Sequence, residues 1–197
     1  MSSAPVLRLA SVSPRRGELL AQIGVPHVVT GAHIDESARP GEIPRAYVQR
    51  MAHTKAQAVW ERDPSLPVLA ADTTVVLENV IFGKPRDRDA ALRMLDTLSG
   101  RTHEVLTAVA LATLSGVTLR LSESRVTFRE ISTAECAAYW ETGEPRDKAG
   151  AYAVQGLAAV FIESLTGSYS GVMGLPLFET AQLLEAAGVP LWCTMAG

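Results

Sequence analysis

VLRLASVSPRRGELLAQIG, residues 6–24, carries a strand, a short loop and a helix in direct succession. The apolar run over 6–10 reads as a buried strand. Ser13 then offers an N-cap, Pro14 suits the first helical position, and Gly24 falls just past the point where the helix should stop. Further along, apolar periodicity predicts a helix over 44–60, and PVLAAD forms a short strand leading to Asp72. TTVVLENVIFG folds back on itself as a hairpin around Glu78 and Asn79. Asp87 caps a helix carrying Ala91, Met94, Leu95 and Leu98 on one face, closed by Gly100. Residues 103–114 and 117–129 read as two longer strands turning at Ser115-Gly116. A short helix over 133–142, a strand pair over 150–164 and a helix over 176–187 complete the chain. The class is α/β. The alternation lacks the strict rhythm of a fully parallel sheet, so a mixed, twisted central sheet flanked by helices is expected.

The chain has 197 residues, 47% hydrophobic and 20% charged, with a formal net charge of −3. These values argue against disorder, and the length points to a single domain over 1–197. The mild acidity offers no global attraction to nucleic acid or to anionic membranes. Aromatic residues are sparse, at 6%, with no pattern of the RNA-binding kind. Cys136 and Cys193 form no CxxC pair, which indicates a reducing compartment and no zinc site. The opening MSSAPVLRLASVSPRR has no basic segment before its apolar stretch, which Arg8 interrupts, so it is not expected to act as an export signal. No apolar run approaches the roughly 18 residues of a membrane span. A cytoplasmic location with no membrane or nucleic-acid partner is the expectation.

The chemistry concentrates in four places. ASVSPRR sets two hydroxyls, at Ser11 and Ser13, and two guanidiniums, at Arg15 and Arg16, at the start of a helix. Orphan N–H groups and the helix dipole favour an anion there. A capped surface helix with two solvated arginines would give the same local pattern. Lys55 falls inside the apolar stripe Val48, Met51, Ala52, Ala56, Val59, so it either snorkels to water or meets an acid. Its removal from such a face should be neutral or mildly stabilising. Asp72 ends the run VLAA, and carboxylates are rarely buried unless paired. Lys84 follows the hairpin. Together Arg15, Arg16, Lys55 and Lys84 form an electropositive cup around Asp72, with Glu36 as a candidate second acid. Such a cup suits a polyphosphate with a divalent cation. Cations this close should lower the pKa of Asp72, which favours a metal ligand over a strong base. No P-loop, no GxGxxG, no HExxH and no GxSxG occurs in the chain.

The segments LASVSPRRGELL, HTKA, LAADTTVV, IFGKPRDRDAALRMLDTLSGRTHEVLTAVAL, EPRDKAGAYAVQG and GSYSGVMGLPL, in this order, resemble the Maf family of nucleotide pyrophosphatases from about residue 7 to 188. The resemblance implies metal-dependent hydrolysis of a nucleoside triphosphate to the monophosphate and pyrophosphate. It implies two lobes around a cleft, similar to the inosine-triphosphate pyrophosphatases. It also implies Asp72 as the catalytic group, Ser11, Arg15, Arg16, Lys55 and Lys84 on the phosphates, and a divalent metal, Mg²⁺ or Mn²⁺, for which Asp72 is the candidate ligand and Glu36 a second one unless Asp35-Glu36 is a solvated loop. Arg15, Thr73 and Gln155 match the branch that acts on dTTP and UTP, where the 7-methyl-GTP branch has Trp, Gln and Glu. Gln155 could read the O4/N3 edge of the base if a neighbour such as Thr73 fixed its amide. Two alternatives stand beside this reading: a 7-methyl-GTP pyrophosphatase of the same family, and a non-catalytic, nucleotide-sensing regulator of cell division. A homodimer is compatible with the resemblance, although no exposed apolar stripe argues for one. Gly171 stands where Asn is frequent, and no role is carried to it.

Overall fold

The computed structural model describes residues 4–193; the ends 1–3 and 194–197 of the expected domain lie outside them. Strand β1 (Leu7–Leu9) leads into helix α1 (Pro14–Gln22), which stops just before Gly24 at φ +67°. Strand β2 (His27–Val29) returns parallel to β1. Helix α2 (Pro44–Arg62) begins at a proline and buries the stripe Val48, Met51, Ala52, Lys55, Ala56 and Val59, lysine included. Strand β3 (Val68–Leu77) runs ten residues, so PVLAAD and the first half of the hairpin are one continuous strand. It turns at Glu78 and Asn79, both at positive φ, into β4 (Val80–Phe82). Helix α3 (Arg88–Leu98) is capped by Asp87, which accepts from the Ala90 N–H at 2.7 Å. Strands β5 (Thr102–Thr113) and β6 (Gly116–Phe128) form the long hairpin expected at Ser115-Gly116. Helix α4 (Thr133–Glu141), strand β7 (Ile162–Thr166) and helices α5 (Tyr169–Met173) and α6 (Leu177–Ala186) follow.

The strand pair expected over 150–164 does not form. Residues 144–161 instead make three short 3-10 turns, and only β7 is extended. Gly150 and Ala151 both take positive φ, which no strand tolerates, and Ala151, Tyr152, Ala153 and Val154 turn inward as core. Glu144 anchors the third turn. Its carboxylate accepts from the N–H groups of Leu157 and Ala158 and from the Tyr139 hydroxyl, at 2.9, 3.3 and 2.6 Å.

The seven strands make one mixed sheet in the order β2-β1-β3-β5-β6-β7, with β4 on the edge of β3. Only the β1 ladders are parallel. One face is covered by α2, under which Val68, Ala70, Val76, Leu106, Ala108 and Ala110 pack against Val48, Ala52, Ala56 and Val59. The opposite face carries two separate cores. Leu69, Ala71, Val109 and Leu111 pack with α1 and α6, whereas Val75, Leu77, Val105 and Phe128 pack with α3, α4 and the 3-10 turns. Between them the sheet shows a row of hydroxyls, Thr73 beside Thr107 beside Ser122, in cross-strand register. That polar row divides the face into two lobes.

His103 ties the second lobe together. It is 1% exposed, its Nε2 lies 2.9 Å from the Tyr152 hydroxyl, and its ring meets Phe128 edge-on with centroids 4.9 Å apart. Burial pushes its pKa down to about 4, so it is neutral in the native state. The unfolded chain binds a proton there near pH 6.5. The stability this histidine permits is therefore full above pH 6.5 and is lost as pH falls towards 4. Urea unfolding followed from pH 7 to 4 is expected to lose up to about 1.4 kcal/mol per pH unit from this one group. His103→Gln should flatten that limb, and an equally steep limb in the variant would assign the slope to carboxylates instead.

Candidate active site

β1 pairs with β3 at Arg8–Val68 and Leu9–Leu69 and no further, and β4 takes up that edge only from Val75. The stretch of β3 between those points has no strand on that edge, and a cleft of about 400 Å³ opens there. Because β1 ends early, the loop to α1 brings Ser11, Ser13, Arg15 and Arg16 to the cleft's rim. Asp72 and Thr74 face α2, while Thr73 and Val75 face the two-lobed side. The structure thus brings every residue expected at the site, Ser11, Arg15, Arg16, Glu36, Lys55, Asp72, Thr73, Lys84 and Gln155, onto one cavity.

The centre is an ion triplet. Lys55 Nζ lies 2.6 Å from Asp72 Oδ1 and 3.0 Å from Glu36 Oε1. Lys55 does not snorkel; it meets the acid that the apolar stripe demanded. Glu36 reaches it from a long loop held to α2 by three side chains: Tyr47 donates to the Glu36 carbonyl, Arg50 to that of Ser37, and Arg62 to those of Gly31 and Ala32. Burial of Asp72 outweighs the opposing pull of Lys55 and Arg16, and Glu36 adds to it, so the Asp72 pKa is raised. This reverses the direction expected from the neighbouring cations alone, and a raised pKa suits a proton acceptor.

Arg16 braces the lobes. Its Nε donates to the Gly174 carbonyl at 2.8 Å, Nη1 to Ser11 Oγ at 3.2 Å and Nη2 to Thr73 Oγ1 at 3.3 Å. Three of its five N–H groups therefore serve the protein, and two remain for a ligand. Arg15 Nε is buried without a hydrogen-bond partner, and Lys84 stands exposed at the opposite rim. Gln155 is exposed, and the Thr73 hydroxyl is taken up by Arg16 and Thr107, so Thr73 does not fix the Gln155 amide as expected.

Three participants escape sequence reasoning. Lys148 lines the cleft and pairs with Asp147; its place next to Asp147 in EPRDKAG was the available signal. Tyr47 lines it too, its pKa pushed up to about 12 by burial and by Asp72 and Glu36. Thr107 lies behind the wall and left no signal beyond its place in a strand.

The model of the Maf-like protein family matches residues 6–187. The chain belongs to the Maf family. Among curated Maf relatives, the dTTP/UTP pyrophosphatase of Saccharophagus degradans is 54% identical over 96% of this chain and 92% of its own length. The dTTP/UTP pyrophosphatase of Alkalilimnicola ehrlichii is 56% identical over 92% of each chain. A solved structure, the Ham1 protein of Staphylococcus aureus, overlays with a TM-score of 0.44 at 15% identity, over 64% of this chain and 72% of that one.

The triplet alters what losing Lys55 from this Maf chain should do. Truncating one partner of a buried pair leaves the other charge uncompensated. Lys55→Ala is therefore expected to cost about 3 kcal/mol in urea unfolding at pH 7, where the stripe alone leads to a neutral or mildly stabilising effect. The double variant Lys55→Met with Asp72→Asn should recover most of it. A single variant as stable as the parent would show that water, not Lys55, compensates Asp72.

Proposed function

We propose that this protein hydrolyses nucleoside triphosphates, dTTP and UTP foremost, to the nucleoside monophosphate and pyrophosphate. The observation that carries the reading is a buried carboxylate, Asp72, paired with Lys55 on a cleft shared with Arg15, Arg16, Lys84 and Lys148. The names of the curated Maf relatives support the same reaction and substrates.

In this reading the triphosphate lies against the start of α1 and the cationic rim, and the base lies against the uncharged wall. Asp72 takes a proton from water as its oxygen bonds to the α-phosphorus, and the bridging oxygen to the β-phosphorus leaves with pyrophosphate. Ser11 is already committed as a donor. Its oxygen accepts from the Ser13 N–H and from Arg16, both at 3.2 Å, so its proton is left for a phosphate oxygen. The free N–H groups of Arg15 and Arg16, with Lys84 and Lys148, stabilise the charge that grows on the leaving group.

The donor set also fits a hard divalent cation, Mg²⁺ or Mn²⁺. Asp72 and Glu36 already converge on one ammonium, and no third carboxylate or imidazole joins them among the described residues. Phosphate oxygens would complete the shell that these two begin. When bound, such an ion neutralises phosphate charge. No helix among the described residues is long and apolar enough to cross a membrane.

Pyrophosphate release from a panel of dTTP, UTP, CTP, GTP, ATP and 7-methyl-GTP, with Mg²⁺, Mn²⁺ or EDTA, tests the reading. Turnover of dTTP and UTP that EDTA abolishes is expected, and a preference for 7-methyl-GTP would overturn the substrate assignment. Absence of turnover on any nucleotide would favour a binding role. Asp72→Asn keeps an oxygen for Lys55 and should keep the fold and nucleotide binding, while kcat falls by roughly two or more orders of magnitude. Near-normal turnover in that variant would remove Asp72 as the base.

A further inference from the structure

The uncharged wall of the cleft is not built by the sheet alone. Tyr152, Ala153, Val154 and Gln155 line it from the segment of 3-10 turns, which no strand ladder joins. Thr73 does not hold Gln155 from the sheet side, so the order of this segment has to come from behind the wall. Its upstream end is tied beside Lys84, where the Gly150 N–H donates to the Gly83 carbonyl at 3.1 Å. Its downstream end depends on Glu144.

Glu144 and Tyr139 do not line the cleft, yet between them they bracket Gln155. After Gln155, Glu144 Oε2 accepts from the Leu157 N–H at 2.9 Å and Oε1 from the Ala158 N–H at 3.3 Å. Before it, the Tyr139 oxygen accepts from the Ala153 N–H at 3.3 Å, and the one proton of that hydroxyl goes to Glu144 Oε1 at 2.6 Å. Tyr139 is 4% exposed, and a carboxylate makes stronger hydrogen bonds than a neutral acceptor. Main chain on both sides of Gln155 is thus tied to one carboxylate. Gly156 completes the clamp. Its φ of −110° lies in the ordinary range, so backbone freedom does not call for a glycine. Space does: a Cβ there would stand 2.1 Å from Glu144 Oε2. The carboxylate occupies the place of the missing side chain.

We propose that Glu144 is a positioning residue for the nucleoside end of the substrate: through Leu157, Ala158 and Tyr139 it fixes the main chain on both sides of Gln155, and with it the place from which Gln155 meets the base. This rests on the reading that a nucleoside triphosphate lies in the cleft with its base against the uncharged wall. Gln155 is exposed, so its aim comes from its main chain, and a loose turn would have to be ordered at the expense of binding. Arg15 and Arg16 stand on α1, Lys55 on α2 and Lys84 just after β4, all outside the segment that Glu144 holds. Phosphate binding and base binding therefore have separate supports, and loss of Glu144 removes only the second.

The test measures kcat and KM for UTP, and the Ki of inorganic tripolyphosphate as a competitive inhibitor, in wild type, Glu144→Ala, Gln155→Ala and the double variant, with melting temperatures alongside. Tripolyphosphate carries the charges without sugar or base. Glu144→Ala is expected to raise KM about tenfold or more, with kcat within about threefold and Ki within about twofold of wild type. Added to Gln155→Ala, it should raise KM by less than about twofold more, because the two residues act as one unit. A Ki that rises with KM, an unchanged KM, or additive losses in the double variant would each overturn the proposal. Should Glu144→Ala fail to fold, Tyr139→Phe decides, since it keeps the ring in the core and removes only the hydroxyl. A KM raised about threefold at unchanged Ki would then support the proposal, and an unchanged KM or an equal rise in Ki would overturn it. Failure of the wild type to turn over UTP or dTTP would overturn the substrate reading itself, whereas turnover of UTP with a KM indifferent to Glu144→Ala would overturn only the role of Glu144.

Discussion

Strand β3 is paired along its whole length on one edge and only at its two ends on the other. Everything at the site depends on that interruption. A strand in mid-sheet ordinarily spends both sets of main-chain groups on its neighbours, and its side chains meet packed layers above and below. Where β1 has stopped and β4 has not begun, the residues of β3 stay rigid through β5 while one edge lies open. Alternation then sends Asp72 to the α2 side and Thr73 to the lobed side at a single point of the chain. The buried carboxylate and the hydroxyl of the polar row are separated by one peptide bond on a single strand.

Such a site holds a carboxylate that burial penalises, and the fold has to supply its compensation. Lys55 supplies it from inside an otherwise apolar helix face, where only a partner of opposite charge makes a lysine tolerable. Arg16 does the corresponding work between elements that no ladder joins. It links the start of α1, the open stretch of β3 and the end of α5, three pieces of chain brought together only by packing. Burial lowers the pKa of Arg16, with Asp72 opposing the fall. The two residues are coupled in charge and in geometry.

Much of this is legible in the sequence, for a physical reason. Elements whose signals are local were found at nearly their observed bounds: α1 between its proline and glycine, α2 after Pro44, α3 behind the Asp87 cap, and the hairpin at Glu78-Asn79. The inward lysine and Asp72 were visible because a charge inside an apolar pattern is a local contradiction, although Asp72 lies in the middle of β3 and not at the strand end expected. The failures are long-range. β2 is three half-exposed residues that show no period. AYAVQGLAAVFI has the composition of strands, but Glu144, upstream of it, satisfies its N–H groups in 3-10 turns. The pKa of Asp72 was misjudged because neighbouring cations can be counted in a sequence and desolvation cannot. Thr107 was invisible because it lies behind the cleft wall, beside Thr73 only through a long-range strand register.

The Glu36 loop shows how the same economy extends beyond regular structure. Residues 30–43 form no helix or strand, and such a stretch loses much conformational entropy when ordered. Its order is supplied from one side. Arg50, Arg62 and Tyr47 all project from α2 and bond to its carbonyls, and Arg50 also pairs with Glu42. The helix that delivers Lys55 to Asp72 thus carries the second carboxylate as well. A displacement of α2 along the sheet would carry Lys55 and the loop's anchors together, leaving Asp72 on β3 behind. The packing of Val48, Ala52, Ala56 and Val59 against alanines of β3 and β5 holds that distance. Small residues on both sides let helix and sheet approach closely, and larger side chains there would lift Lys55 away from the acid it compensates.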